Sequence, residues 1–159
     1  MKASLQNRGF DNLDQTILEE LQANGRISVA DLARKIHLSQ PAVHNRIKRL
    51  EREGIIQQYV ALLDHEQVGY DMLAFMQLTL SQHTPKLTAG LLKLIEGQVR
   101  VLECHQITGE ADLLLKVITE NRQALANVVA QLTECDEVQR VQTSLVLSSS
   151  KMTTQISLD

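Results

Sequence analysis

The chain has 159 residues, room for one domain or two small ones. At 43% hydrophobic and 22% charged it has a globular rather than a disordered composition. No apolar run approaches a membrane span or a signal-peptide core, so a cytoplasmic protein without a membrane partner is expected.

The net charge of −3 argues against a nucleic-acid partner until its distribution is read. Residues 1–58 carry nine Lys/Arg against seven Asp/Glu, and the remainder seven against twelve. A basic segment on an acidic chain is an electrostatic footprint for DNA. Aromatic residues make up only 3%, so the cores must be built from Leu, Ile, Val and Ala.

Residues 1–10 are polar and aperiodic, and a loose arm is expected there. Asp11 or Asn12 then caps a helix whose Leu13, Ile17, Leu18 and Leu21 share one face. Asn24-Gly25, a pair tolerant of left-handed backbone, stops it. Ser28 caps a second helix with Val29, Leu32, Ala33 and Ile36 as its apolar face and Asp31 near its positive end. His37-Leu38 is the turn, and His37 stands where positive φ is wanted, a conformational rather than a ligand role. Ser39 caps a third helix, Pro41 fits its first turn, and Gly54 ends it.

In that third helix Val43, Ile47 and Leu50 form a buried stripe, opposite Gln40, His44, Asn45, Lys48, Arg49 and Arg52. Between Arg34 and Arg52 only Glu51 opposes six cations. A basic helix by itself is most often a solvated surface. Three helices with a short middle one, a tight turn and a basic third helix fit the helix-turn-helix plan. On that plan Gln40, His44 and Asn45, beside the cap Ser39, are candidates for base edges. Lys48, Arg49 and Arg52 are candidates for phosphates.

Ile55–Asp64 is rich in β-formers and reads as a hairpin strand or a linker. The boundary falls near Asp64–Tyr70, giving a DNA-binding domain over 1–64 and a second domain over 65–159. There Ala74, Met76, Leu78 and Leu80 alternate with Phe75, Gln77 and Thr79 as a half-buried strand. Thr84-Pro85 starts a helix with Leu87, Leu91, Leu94 and Ile95 inward, closed by Gly97. Strands follow over Val99–Ile107 and Asp112–Thr119. Asn121 opens a helix with Leu125, Val128, Val129 and Leu132 inward, and Val138–Leu147 is the last strand. The order βαββαβ is the ferredoxin-like split motif, so the fold class is α+β. Helices cover one face of such a sheet. A second copy is the simplest cover for the other, and a homodimer is expected.

The turn Thr108–Asp112 offers Gly109 backbone donors for an anion and the Glu110 and Asp112 carboxylates for an ammonium. Taken alone it reads equally as a Gly-Asp turn. Cys104 and Cys135 fall in no ligand spacing, and Cys104 and His105 point to opposite faces of a strand. His65 and His83 sit near turns. No phosphate loop, paired-His motif or nucleophile–base arrangement is present, so no catalytic, metal or cofactor site is assigned.

The segments LDQTILEELQANGRISVADLARKIHLSQPAVHNRIKRLEREGII and YVALLD, then ECHQITGEADLLLKV and the KMTT tail, carry a resemblance over nearly the whole chain. It is to the Lrp/AsnC (feast/famine) family of transcription regulators. The resemblance implies a winged helix-turn-helix domain, a connecting strand paired across a dimer, and a RAM-type ligand-binding domain. It implies dimers assembling into larger rings, commonly octamers. It also implies that the G-x-x-D loop binds an amino-acid effector between dimers, with the last strand lining the pocket. On that basis Gly109, Glu110 and Asp112, with Thr108, Ser144 and Val146, are effector-site candidates, and Glu110 and Ser144 are positions for tuning specificity. The sequence departs from the family at His37, where Gly is usual. The function implied is a DNA-binding regulator modulated by an amino acid, associated with the nucleoid. An effector-independent DNA-packing protein is the alternative.

Overall fold

The computed structural model describes residues 9–81 and 85–158, with side chains over 9–81 and 89–158. The arm over 1–8, His83, Thr84 and the Leu87 side chain lie outside the described residues. The chain divides into two compact units, one of residues 1–62 with 151–159, the other of 63–150.

The first unit holds α1 (Asn12–Ala23), α2 (Val29–Lys35) and α3 (Gln40–Arg52). Asp11 is the cap of α1: its side chain accepts from Asp14 N–H, and the Asp14 side chain accepts from Asp11 N–H. This reciprocal capping box satisfies two donors that a helix start leaves open. The helix stops at Asn24, but not by the left-handed route expected of Asn24-Gly25. Asn24 is extended at φ −147, and its side chain takes the Arg26 N–H instead. Ser28 and Ser39 cap α2 and α3.

Both α2 and α3 end in the same reversed turn. His37 has φ 55 and Gly54 φ 70. In each case the next residue's N–H reaches back to the carbonyl of the last buried turn, Leu38 to Ala33 and Ile55 to Leu50. These are Schellman closures. Ile17, Leu18, Leu32, Ala33, Val43, Ile47 and Leu50 form the core, joined by Phe10. Phe10 is therefore a core residue and not part of a loose arm. An aromatic ring recovers far more by burial than a polar arm residue would.

Among the described residues, 55–64 form no ladder, so the protomer does not show the expected strand. The four-stranded sheet is formed by other segments of the chain. The chain after Ser150, assigned from sequence to the second domain, packs on the first unit instead. Gln22 of α1 exchanges two hydrogen bonds with the Ile156 backbone, at 3.1 and 2.7 Å, and Leu158 packs on the three-helix core.

The second unit runs β1 (Met72–Leu80), α4 (Pro85–Glu96), β2 (Val101–Gln106), β3 (Leu113–Thr119), α5 (Arg122–Thr133) and β4 (Val138–Leu145). The sheet order is β2-β3-β1-β4 with every pair antiparallel. This is the split βαββαβ arrangement. Ala74, Met76, Leu78 and Leu80 face Leu91, Ile95, Leu125, Val128 and Leu132 of the helices. Asn121 caps α5 as expected. Leu94 is 42% exposed, contrary to its expected inward place. The buried stripe of α4 runs through Leu91 and Ile95 and takes in Leu92 on its other flank, which turns Leu94 outward.

The other sheet face presents Phe75, Gln77 and Thr79 of β1, paired with Ser144, Gln142 and Arg140 of β4. Beside them Lys116 binds Glu103, which also meets His105, at 2.8 and 3.1 Å. Cys104 faces the core, opposite to His105, and Cys135 donates to the Gln131 carbonyl. Burial pushes both thiols up, which favours their protonated form. His65 is half-buried and bonded to the Tyr70 carbonyl at 2.7 Å, not simply solvated.

Candidate nucleic-acid interface and ligand site

The sequence of α3 sorts its side chains by angle around the axis. Val43, Ile47 and Leu50 turn inward. Gln40, His44, Asn45, Lys48 and Arg52 turn to solvent. Ser39 is exposed, and its oxygen accepts the Ala42 N–H at 3.3 Å, so it acts first as the helix cap. Gln40, His44 and Asn45 occupy the first half of the helix, and Lys48 and Arg52 the second. The face therefore has amide and imidazole groups at one end and cations at the other. That division suits base edges and phosphates respectively.

Two of the cations are not free in this way. Arg49 pairs with Asp14 of α1, and Arg46 pairs with Asp14 and Asp11 at 2.8 Å each. Arg49 also lies over the Phe10 ring, 5.3 Å from its centre. Asp14 is fully buried. Hydrogen bonding to Asp14 raises the already high pKa of Arg46, and the Asp14 N–H leads the causes that lower that of Asp11. Lys48 reaches Glu51 at 2.9 Å, but 62% of its side chain remains exposed. The Glu51 carboxyl is lowered chiefly by Lys48. Arg52 is 75% exposed, with only a 3.7 Å approach to Glu53. The expected phosphate trio thus separates: Lys48 and Arg52 face outward, whereas Arg49 is held within the domain. Sequence reading missed Phe10, Asp11, Asp14 and Arg46 as one cluster. The Asp11/Asp14 spacing of a capping box and the Arg46/Arg49 spacing of one turn were the available signals.

In the second unit, Gly109 takes φ +125, a conformation that only glycine adopts at no cost. It lets the chain turn between β2 and β3 with Thr108, Gly109 and Glu110 exposed. Asp112 has a structural task in this turn. Its N–H donates to the Leu78 carbonyl and its carboxylate accepts the Leu80 N–H, at 2.9 and 2.8 Å. The β1–β3 pairing ends at Leu78 and Leu113, and the carboxylate supplies the next acceptor for β1 just beyond it.

Ser144 and Val146 are elsewhere. Ser144 pairs with Phe75, and Val146 N–H donates to Leu73, whereas the 108–112 turn meets the Leu78–Leu80 end of the same strand. At about 3.3 Å per residue, roughly 10 Å or more of strand separates the two groups in one protomer. The six ligand-site candidates are therefore not one cluster within the chain.

The two units together define a helix-turn-helix DNA-binding protein with a separate ligand-binding domain of βαββαβ form. A family model for winged helix-turn-helix DNA-binding matches residues 10–57, and one for the Lrp/AsnC ligand binding domain matches residues 73–156. The leucine-responsive regulatory protein of Escherichia coli is 32% identical over 124 residues, covering 78% of this chain and 76% of that one. The structure of a transcriptional regulator from Neisseria meningitidis in complex with L-Met superposes with a TM-score of 0.90 at 32% identity, covering 94% of this chain and 97% of that one. AsnC of Escherichia coli gives 0.83 at 31% identity, covering 92% and 97%. The chain belongs to the Lrp/AsnC family of transcriptional regulators. Among the described residues no helix is long and apolar enough to cross a membrane.

Proposed function

We propose that this regulator reads DNA with the outward face of α3 and that an amino acid, bound between copies of the second unit, sets its assembly and so its affinity. The observation that carries the reading is the division of the α3 face. Gln40, His44 and Asn45 reach base edges in the major groove, and Lys48 and Arg52 hold phosphates. Ser39 serves as the cap, and the first-turn backbone that it orders approaches the DNA backbone.

A dimer forms through the outer sheet face around Phe75 and through the exposed stretch Tyr59, Val60, Leu62 and Leu63, which is in no ladder among the described residues. Such dimers assemble further, to an octamer. Two α3 helices per dimer then meet half-sites about one DNA turn, or a multiple, apart. The effector is a free amino acid. Its carboxylate meets the backbone around Gly109, its ammonium meets Glu110, and its side chain meets residues such as Ser144 and Val146 of another copy. Asp112 holds the loop in shape. The relatives' names, one leucine-responsive and one in complex with L-Met, support an aliphatic amino acid as the class. The protein works in the cytoplasm, on the chromosome.

The test begins with a duplex selected from a random library by the wild-type protein, titrated over a salt series. Lys48→Ala should weaken binding to all sequences and lower the salt slope by about one. Asn45→Ala should change which sequences are preferred. An unchanged slope and affinity in Lys48→Ala would remove α3 from the interface. Calorimetry against the twenty amino acids tests the effector. Heat with none of them, beside tight DNA binding, would favour the DNA-packing role.

A further inference from the structure

The recognition helix is held by a charged clamp, and the clamp is assembled from residues that a DNA interface would otherwise claim. Asp14 lies in the first turn of α1 and is fully buried. Its two oxygens accept from three directions: the Asp11 N–H at 3.0 Å, Arg46 at 2.8 Å, and Arg49. Arg46 also reaches the Asp11 carboxylate at 2.8 Å, so two guanidinium groups meet two carboxylates. Phe10, buried just before the helix, underlies Arg49.

Arg46 and Arg49 are one turn apart on the flank of α3 that meets α1, and they engage different oxygens of one carboxylate. The buried Val43, Ile47 and Leu50 already choose the inward face of α3, but a single polar contact beside them would leave small rotations about its axis open. Two contacts, spaced along the axis and ending on one rigid acceptor, fix both roll and register. Roll is the quantity that decides whether Gln40, His44 and Asn45 point at a groove. A buried ion pair is a poor way to gain stability, since a hydrophobic replacement of equal volume does as well or better. Its geometric exactness is what a hydrophobic contact does not supply.

We infer that Asp14 is the positioning residue of the DNA interface, acting through Arg46 and Arg49 to set the roll of α3, and that these two arginines are not phosphate ligands. This rests on the reading of α3 as the DNA-contacting helix.

The test uses the full-length protein, the library-selected duplex and a scrambled duplex of equal length. Asp14→Asn keeps the shape and one of the two accepting oxygens but removes the charge. It should lose tenfold or more in affinity for the selected duplex. Its affinity for the scrambled duplex should hold or rise, because the released arginines become available to phosphates. The salt slope should stay the same or steepen. Arg49→Met, which keeps bulk over Phe10, should likewise reduce discrimination with no fall in slope, in contrast to Lys48→Ala.

A loss of equal size on both duplexes in folded Asp14→Asn would overturn the proposal. So would a salt slope lowered by about one in Arg49→Met, since that is the behaviour of a phosphate ligand. If Asp14→Asn does not fold, Arg49→Met decides the matter by itself. If Lys48→Ala leaves DNA binding untouched, it is the α3 reading that fails, and the two failures are thereby told apart.

Discussion

His37 shows what a single backbone angle demands. At φ 55 it sits in the left-handed region at the end of α2, where the closing bond from Leu38 to Ala33 requires it. A Cβ there costs on the order of 1–2 kcal/mol for most residues, and a β-branched side chain is the worst case. His37→Val should therefore add up to about 1 kcal/mol to the cost that the His37 Cβ already carries, read in urea titration, although the position is exposed. His37→Gly should be neutral or gain up to about 1 kcal/mol, strain relief being offset by the entropy of glycine. If Val is tolerated as well as Gly, the turn does not need this conformation. This residue was legible in advance, because a turn position between two capped helices has few solutions. The Asp14 cluster was not. Its two halves, Phe10–Asp14 and Arg46–Arg49, lie more than thirty positions apart, and nothing local tells an arginine bound inward from one facing solvent.

Elements were legible where a local signal sets them. Each of Ser28, Ser39 and Asn121 caps the helix that its position announces. The alternation along β1 gave its inward face correctly, from Ala74 to Leu80. Pairing partners outside an element were less so. The tail after Ser150 joins α1 through Gln22 and Ile156, a contact over 134 positions, and no periodicity encodes it. The 55–64 stretch has the composition of a strand but pairs with none of the described residues. The turn after β2 belongs to the same class. Read from sequence, Asp112 is an anion beside a glycine. In the fold its carboxylate accepts the N–H of Leu80, a residue only 7% exposed. Asp112→Ala should cost about 1–3 kcal/mol in urea denaturation with no amino acid present, the range for a buried donor left without its acceptor. Asp112→Asn retains an acceptor oxygen and should lose much less. Full stability in the Ala variant would return Asp112 to a purely ligand-binding role.

At the scale of the whole molecule, the split between the 108–112 turn and Ser144 determines how many chains make one site. Along β1, Ser144 lies at Phe75 and the turn at Leu78–Leu80, a gap too long for one amino acid to bridge. If both groups serve one effector, they come from different copies. Two variants separate the possibilities: Glu110→Arg spoils the turn, and Ser144→Trp spoils the strand while leaving the turn intact. Each alone should take up no amino acid in calorimetry, and light scattering checks first that each still assembles, since Ser144 lies beside Phe75 on the sheet face proposed for dimerisation. After subunit exchange between the two, a site formed by the turn of one chain and the strand of another is intact whenever both contributions are wild-type. For random mixing of equal amounts that is about a quarter of the sites. Regained heat near that fraction, with the affinity of the wild-type protein, is the expected result. If the mixture stays silent although light scattering shows mixed oligomers, both residues act within one chain. Ser144 would then influence the turn through β1 instead of touching the ligand. The first outcome would also couple ligand to assembly: an amino acid bound only where two copies meet has differential affinity for the assembled state, and that difference shifts the equilibrium.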